Sequence, residues 1–314
     1  MGNYWTTNAD RYVKQGGSDD EYCYEVNSPC LTIAMALQMY YAGMSYEGYT
    51  NRSPKVHLTG TVQSDSKPLS TLTYSGTQIN TPTWTINIDT YGSTRATWIW
   101  KTSSLANPIF QVSTGSLTLN NFNWQITASL SNSLVYVTDS KGTLSLQSMT
   151  ISSSTGYTFT NNSPFRIQSG TLTCSQTTFS TFKSRVSFIS LTSNPTVTFT
   201  STNTFTYITR TEGTGAAVFD TTSPLTLSGI TFTSCSSVGK GGAISLTLSN
   251  SQVSLSSLTF TACSASCGAA IYVEGGEYLS ASRLIMSGLT FRSDENNNIP
   301  TSNYLDLFSI RCGI

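Results

Sequence analysis

Three kinds of side chain in this sequence are able to do chemistry, and their spacing limits what each can do. Seven cysteines stand at positions 23, 30, 174, 235, 263, 267 and 312. No CxxC pair and no Cys/His cluster occurs, and the sole histidine, His57, cannot complete a zinc site with them, so neither metal nor cofactor is expected. The odd count leaves at least one thiol unpaired or joined to another chain. Carboxylates at Asp139, Asp220 and Glu274 follow strand-like segments. Glycoside cleavage needs two carboxyl groups roughly 5 to 9.5 Å apart. None of these acids has a second one beside it, and no Asp cluster has the spacing of a calcium loop. Asp220 and Glu274 therefore stand only as the pair an acidic-polysaccharide lyase or hydrolase would use. Turn formation is the plainer role for such acids, and no catalytic residue is assigned. The third group is hydroxyl: 50 Ser and 50 Thr make up about one-third of the 314 residues.

That composition removes several classes of function. Charged residues are 10% of the chain, where globular proteins run near ~25%. Net charge is zero and the pI is about 6.6, so there is no basic footprint for nucleic acid or an anionic membrane. Residues 31–44 (LTIAMALQMYYAGM) form the longest apolar segment, too short and too interrupted to span a bilayer. Aromatics at 11%, interleaved with Val, Ile, Leu and Thr, argue against disorder. The opening MGNYWTT lacks the basic and apolar parts of a signal peptide, although Met1-Gly2 with Thr6 formally fits the myristoylation pattern. The cysteine content favours an extracellular or cell-surface setting. Sequons at Asn51 and Asn161 are candidate N-glycosylation sites, each followed by Pro, and the abundance of Ser and Thr favours O-linked glycans.

The element that positions these groups is a repeat of about 27 residues. Leu117-x-Leu119-xx-Phe122-x-Trp124 and Leu144-x-Leu146-xx-Met149-x-Ile151 open the series. Leu172-x-Cys174, Val197-x-Phe199, Leu225-x-Leu227 and Val253-x-Leu255 lead the later copies, at spacings of 27, 28, 25, 28 and 28. Each copy reads as two short strands of period-2 alternation around a two-residue corner. A third short strand precedes each pair: Val135-x-Val137, Phe165-x-Ile167, Ile189-x-Leu191, Ala217-x-Phe219, Ile244-x-Leu246 and Ile271-x-Val273. Asn-Gly and Asp-Gly hairpin turns are absent. Three strands per winding without helical spacing predict an all-β fold, a parallel β-helix of nine or ten coils. At about 4.8 Å per coil the rod is some 45 Å long.

Alternate Leu, Val, Ile and Phe then point inward and stack on their equivalents, while Ser and Thr face water. One face offers Ser116/Thr118, Thr143/Ser145, Thr171/Thr173, Thr196/Thr198, Thr226 and Ser254; another offers Thr178/Ser180, Thr204/Thr206, Thr231/Thr233 and Thr259/Thr261. Such hydroxyl ladders suit O-linked sugars, binding to ice or a crystalline polysaccharide, or simple solvation of a β-surface. Cys235 and Cys263, 28 apart, fall at the same point of neighbouring coils, where a disulfide along the rod, a stacked pair of reduced thiols, or a Cys235–Cys267 bridge would each fit. Cys23 and Cys30 are a second candidate bridge, ahead of the apolar segment, and Cys174 takes a core position. Trp84, Trp98, Trp100 and Trp124, with Tyr74, Tyr91 and Tyr136 around them, suit core packing or stacking on sugar rings.

Gly215-Ala-Ala-Val218, Gly241-Gly-Ala-Ile244 and Gly268-Ala-Ala-Ile271, together with Phe232-Thr-Ser-Cys235 and Phe260-Thr-Ala-Cys263, resemble the GGA(I/L/V) and FxxN repeats of polymorphic outer-membrane proteins. They are also similar to the repeats of right-handed parallel β-helix surface proteins of unicellular eukaryotes, which share the pectin-lyase-like fold. Cys stands where those repeats carry Asn. The stretch from Tyr12 through Cys23, Pro29-Cys30 and Ala36-Leu37 resembles the module with which such proteins cap the helix. The resemblance implies a right-handed solenoid with an N-terminal capping α-helix. Ser28 as N-cap and Pro29 as first helical residue would start that helix, with Ile33, Leu37 and Tyr40/Tyr41 laid over the first coil. Residues 1–50 are read as the N-terminal strand and cap, and residues 51–314 as one continuous β-helix. The expected function is that of an extracellular structural or adhesive protein, glycosylated, with no enzymatic activity. Its expected partners are further copies of itself stacked head to tail into a filament through the strand-like segment 303–312, covalent glycans, and polysaccharide. A polysaccharide-degrading enzyme and a carbohydrate- or ice-binding module are the alternatives.

Overall fold

In the computed structural model, residues 10–18, 23–46, 53–63, 78–103, 107–248, 252–275, 284–292 and 308–311 are described. Met1-Gly2, Asn51, Tyr74 and Cys312 lie outside them, as do the side chains of Tyr41 and Trp84. Strands pair in parallel with the strand one winding away. Thr178–Ser180 lies beside Asn203–Thr206, that strand beside Ile230–Thr233, and that one beside Thr259–Thr261. Together with Thr61–Gln63, Thr97–Trp100, Asn123–Ile126, Thr150–Ser153 and Thr290–Arg292 they make a nine-stranded sheet. A 14-stranded sheet supplies two further faces, joined where Phe110–Asn120 turns a corner. The front of that strand pairs with Val135–Val137 and its rear with Gly142–Gln147. Leu225–Ser228, Val253–Ser256 and Leu284–Ser287 continue the second face as a three-stranded sheet. The fold is a parallel β-solenoid with one helix among the described residues, at its N-terminal end.

The core is the inward half of the alternation. Phe179, Phe205, Phe232, Phe260 and Phe291 stack face to face along the nine-stranded sheet, with centroids 4.7, 5.4, 5.0 and 5.2 Å apart. Trp98 stacks on Trp124 at 4.9 Å in the same column. Trp98, Trp100 and Trp124 are fully buried, so these three indoles pack the core and present nothing to a sugar. Between the second and third faces seven windings turn at a left-handed residue: Asn121, Ser148, Gln176, Ser201, Gly229, Ser257 and Gly288. The next inward place holds Phe122, Met149, Thr177, Asn203, Ile230 or Leu258. The two polar members of this column are both satisfied, the Thr177 hydroxyl by Ser175 O at 3.0 Å. Asn203 Oδ1 accepts from Thr177 N at 3.0 Å, and its amide donates to Thr200 O at 3.0 Å.

Two local expectations are corrected, and one further sheet is added. The helix spans Ile33–Tyr46, and Thr32 Oγ1 caps it by accepting from Met35 N at 3.2 Å. Ser28 and Pro29 do not start it, because Cys30 donates its N–H to Tyr12 O and pairs with Val13 in the end strand Asp10–Lys14. Ile33, Ala36, Leu37 and Tyr40 are buried, with Tyr40 over the inward-pointing Arg11 guanidinium at 5.2 Å. The strand expected to lead with Ala217 instead begins at Phe219, in register with Ile189 and Ile244. Ala216 and Gly215 form a turn against Arg210, and a side chain at Gly215 would meet Arg210 and Asp220. A fourth, four-stranded sheet of two-residue strands (Thr158–Phe159, Lys183–Ser184, Thr209–Arg210, Ser236–Ser237) was not expected at all.

Candidate functional surfaces

The nine-stranded sheet presents one unbroken outward row: Thr61, Thr97, Asn123, Thr150, Thr178, Thr204, Thr231, Thr259 and Thr290. Beside it run Ser152, Ser180, Thr206, Thr233 and Thr261. Rows repeat about 4.8 Å along the rod, and neighbouring columns stand about 6.6 Å apart along each strand, so the hydroxyls form a regular grid. Among the described residues, the side chains of Thr178, Thr204, Thr206, Thr231, Thr233, Thr259 and Thr261 make no hydrogen bond to protein. Their hydroxyls are left for water or a ligand. The second face carries Thr118, Ser145, Thr173 and Thr198 in register, with Ser116, Thr143, Thr171 and Thr196 beside them. There Thr196 and Thr198 are exposed and the others half-buried.

The first face holds the acids. Tyr136, Arg166, Ser190, Asp220, Ser245 and Tyr272 follow one another outward along it. Asp220 binds Arg210 at 2.8 Å, and Glu274 binds Lys240 at 3.1 Å and accepts from Tyr272 OH at 3.2 Å. Register puts Glu274 two residues along the strand from the position opposite Asp220, and two windings away. Two windings and two residues correspond to about 12 Å, beyond the span over which two carboxyl groups cooperate on a glycosidic bond. A polar cavity of about 300 Å³ lies between Arg166 and Arg210, with the exposed Asn161 on its rim; Ser163 of that sequon is buried.

The spacing of residues gave no sign of a titratable cluster on the second face, near the helix. His57 Nδ1 lies 2.5 Å from Asp89 Oδ1, and its Nε2 lies 3.2 Å from Asp10 Oδ1. The three residues come from adjacent strands, with Tyr12 and Tyr91 packed at the imidazole at 5.2 and 6.1 Å. The cluster opens into a cavity of about 630 Å³ that Lys55 and Asn87 also line. The hydrogen bond to Asp89 is the main cause that raises the His57 pKa; partial burial opposes it, and Asp10 adds to the rise. Only the imidazolium donates from both nitrogens, so the protonated ring ties three windings together. A raised folded pKa means this stabilisation is complete below the unfolded value of about 6.5 and fades as pH rises through the folded value. The single imidazole resonance should therefore titrate with a midpoint above 6.5, and exchange protection of the Tyr12 and Lys14 amides should fall over the same interval. In His57→Gln that protection should not vary with pH in this range. A midpoint at or below 6.5 would contradict the clasp.

The cysteines divide into two classes. Cys23 and Cys30 form a disulfide, with Cα atoms 5.0 Å apart, between the end strand and the helix. Cys174, Cys235 and Cys263 are free thiols, so the candidate Cys235–Cys263 bridge is absent from this structure. Burial pushes the Cys174 thiol far up, as suits an inert core residue. Among the described residues no group of three or more His, Cys, Asp or Glu side chains is arranged to hold a metal ion, and no helix is long and apolar enough to cross a membrane. No family model, curated protein or solved structure matches this chain, so its functional assignment rests on these surfaces.

Proposed function

We propose that the protein is an extracellular structural and adhesive β-solenoid, akin to the surface β-helices its repeats resemble. In this reading the Thr grid of the nine-stranded sheet is the adhesive surface. The observation that carries it is that row of outward residues, eight threonines and one asparagine, whose C-terminal half leaves its hydroxyls unbonded to protein. A packed core holds the grid in register, so little side-chain entropy is lost when a regularly repeating partner docks. Such a partner is itself periodic and rich in hydroxyl, as an ordered polysaccharide is. Covalent glycans on other Ser and Thr ladders, and end-to-end stacking of copies, belong to the same reading.

Thr206→Lys/Thr233→Lys should reduce co-sedimentation with insoluble crystalline polysaccharide at least tenfold while leaving circular dichroism unchanged. Unaltered binding by the folded variant would remove the grid from the function. Loss of ice-recrystallisation inhibition instead would identify ice as the repeating surface. Light scattering of the same preparations checks stacking: a 33.9 kDa species alone at every concentration excludes it.

A further inference from the structure

At the corners that end four successive strands of the nine-stranded sheet, an inward side chain follows a left-handed residue. Phe182 follows Thr181, Ile208 follows Tyr207, Cys235 follows Ser234 and Cys263 follows Ala262. The first two fill the core as ordinary apolar residues. The last two put one thiol above another. Ser264 N donates to Cys235 O at 3.0 Å, and Ser236 pairs with Ser264, which fixes the two cysteines in register on neighbouring windings. Cys235 Sγ is 3.6 Å from Phe205 O and Cys263 Sγ is 3.8 Å from Phe232 O, one winding further on. Each thiol lies near enough to shift the titration of the other. A winding spacing of about 4.8 Å lies within the Cα range of a disulfide, so a side-chain rotation closes the bond.

The two sulfurs are not equivalent. Cys235 is fully buried, and loss of solvent pushes its thiol well up. Cys263 is half-buried, and the neighbouring Cys235 thiol pulls its pKa down. The more acidic and more accessible of the pair is the better nucleophile.

We propose that Cys263 and Cys235 form a thiol–disulfide exchange site, with Cys263 as the attacking thiol, Cys235 as the resolving thiol and a small-molecule disulfide as the oxidant. The Cys263 thiolate attacks one sulfur of the reagent, forming a mixed disulfide and expelling one thiolate. Cys235, losing its proton, attacks Cys263 Sγ, forms the Cys235–Cys263 bond and expels the second. Two electrons pass from the protein to the reagent, and the two protons finish on the two released thiols. The product is a staple between successive windings. Cys267, exposed and four residues further on, is the competing thiol.

The full chain is incubated with oxidised glutathione, alkylated, and digested with trypsin without reduction. Cleavage after Arg210, Lys240 and Arg283 places Cys235 in peptide 211–240, and Cys263 with Cys267 in peptide 241–283. The expected product is these two peptides joined, lighter than their sum by two hydrogens and separated by dithiothreitol. Cys267→Ser should retain the link, and Cys263→Ser should lose it while Cys235 stays unreacted. A link that survives in Cys263→Ser, a mixed disulfide on Cys263 that never resolves, or reaction confined to Cys267 would each overturn the proposal. The Cys267→Ser arm keeps the test decisive if Cys263→Ser fails to fold.

Discussion

Phe205→Ala should lower unfolding free energy by about 3–5 kcal/mol, the range for removing a buried ring that cannot be replaced by collapse. Phe205 stacks on Phe179 at 4.7 Å and on Phe232 at 5.4 Å, and meets Phe188, Phe199 and Phe219 edge-on at 6.1, 6.1 and 5.6 Å. Its loss therefore weakens two winding-to-winding interfaces at once. In a solenoid each winding is held chiefly by its neighbours, so damage in mid-rod uncouples the halves, whereas damage at an end frays one winding. Phe291 has one stacked ring neighbour among the described residues, Phe260 at 5.2 Å, and is half-buried. Phe291→Ala should cost about 1 kcal/mol. Urea titration of both variants measures the difference. Equal losses would mean that the rod does not behave as a sum of neighbouring windings.

The Phe column also shows why so much of the fold was legible in the sequence. A parallel solenoid repeats one environment, so the same residue class recurs at the same place: Leu117, Leu144, Leu172 and Val197 fall in one register line. Period-2 alternation and a period near 27 are enough to give strand, face and winding. What escaped is what the repeat does not force. The corners are left-handed, but Ser148, Gln176, Thr181 and Ala262 occupy them as readily as Gly229 does, so no residue type marks them. A two-residue strand such as Lys183–Ser184 has no periodicity to detect. At Ala217 the turn is longer than its counterparts because the Arg210 side chain fills it, a tertiary event that local spacing does not encode.

The surfaces follow the same division. The Thr grid was legible because it is the outward half of the alternation. The His57 cluster was not: Asp10 and Asp89 lie 47 and 32 residues from it, in windings whose lengths depart from the later period. Asp220 and Glu274 were legible as acids but not as partners of Arg210 and Lys240, since opposite charges meet there across a turn and across a winding. The inward direction of Arg11 likewise depends on Tyr40 of the helix, which the strand pattern alone does not contain.

Gly242→Ala should cost about 3 kcal/mol, an overpacking penalty out of proportion to one methyl group. Gly242 N donates to Ala269 O at 3.0 Å, and a Cβ at Gly242 would lie 2.0 Å from that same oxygen and 2.8 Å from Ser264 N. Both obstacles are backbone, so the windings would have to part instead of a side chain turning aside. The second glycine is needed at this turn alone: Ala216 and Ala269 stand in its place in the two other copies of the signature. Gly60→Ala supplies the comparison. Gly60 has φ +64° but nothing within 4 Å of its missing Cβ, so only backbone strain of about 1 kcal/mol is expected. Urea midpoints compare the two, and hydrogen exchange locates the damage in the Ala243 and Ile244 amides, which donate to Ala270 O. Because Ser264 N also fixes Cys235 against Cys263, the same substitution should slow closure of that disulfide without altering either thiol's own chemistry. A Gly242→Ala protein no less stable than Gly60→Ala would show that the windings have slack at this turn, and the close contact would then explain neither the glycine nor the register of the thiols.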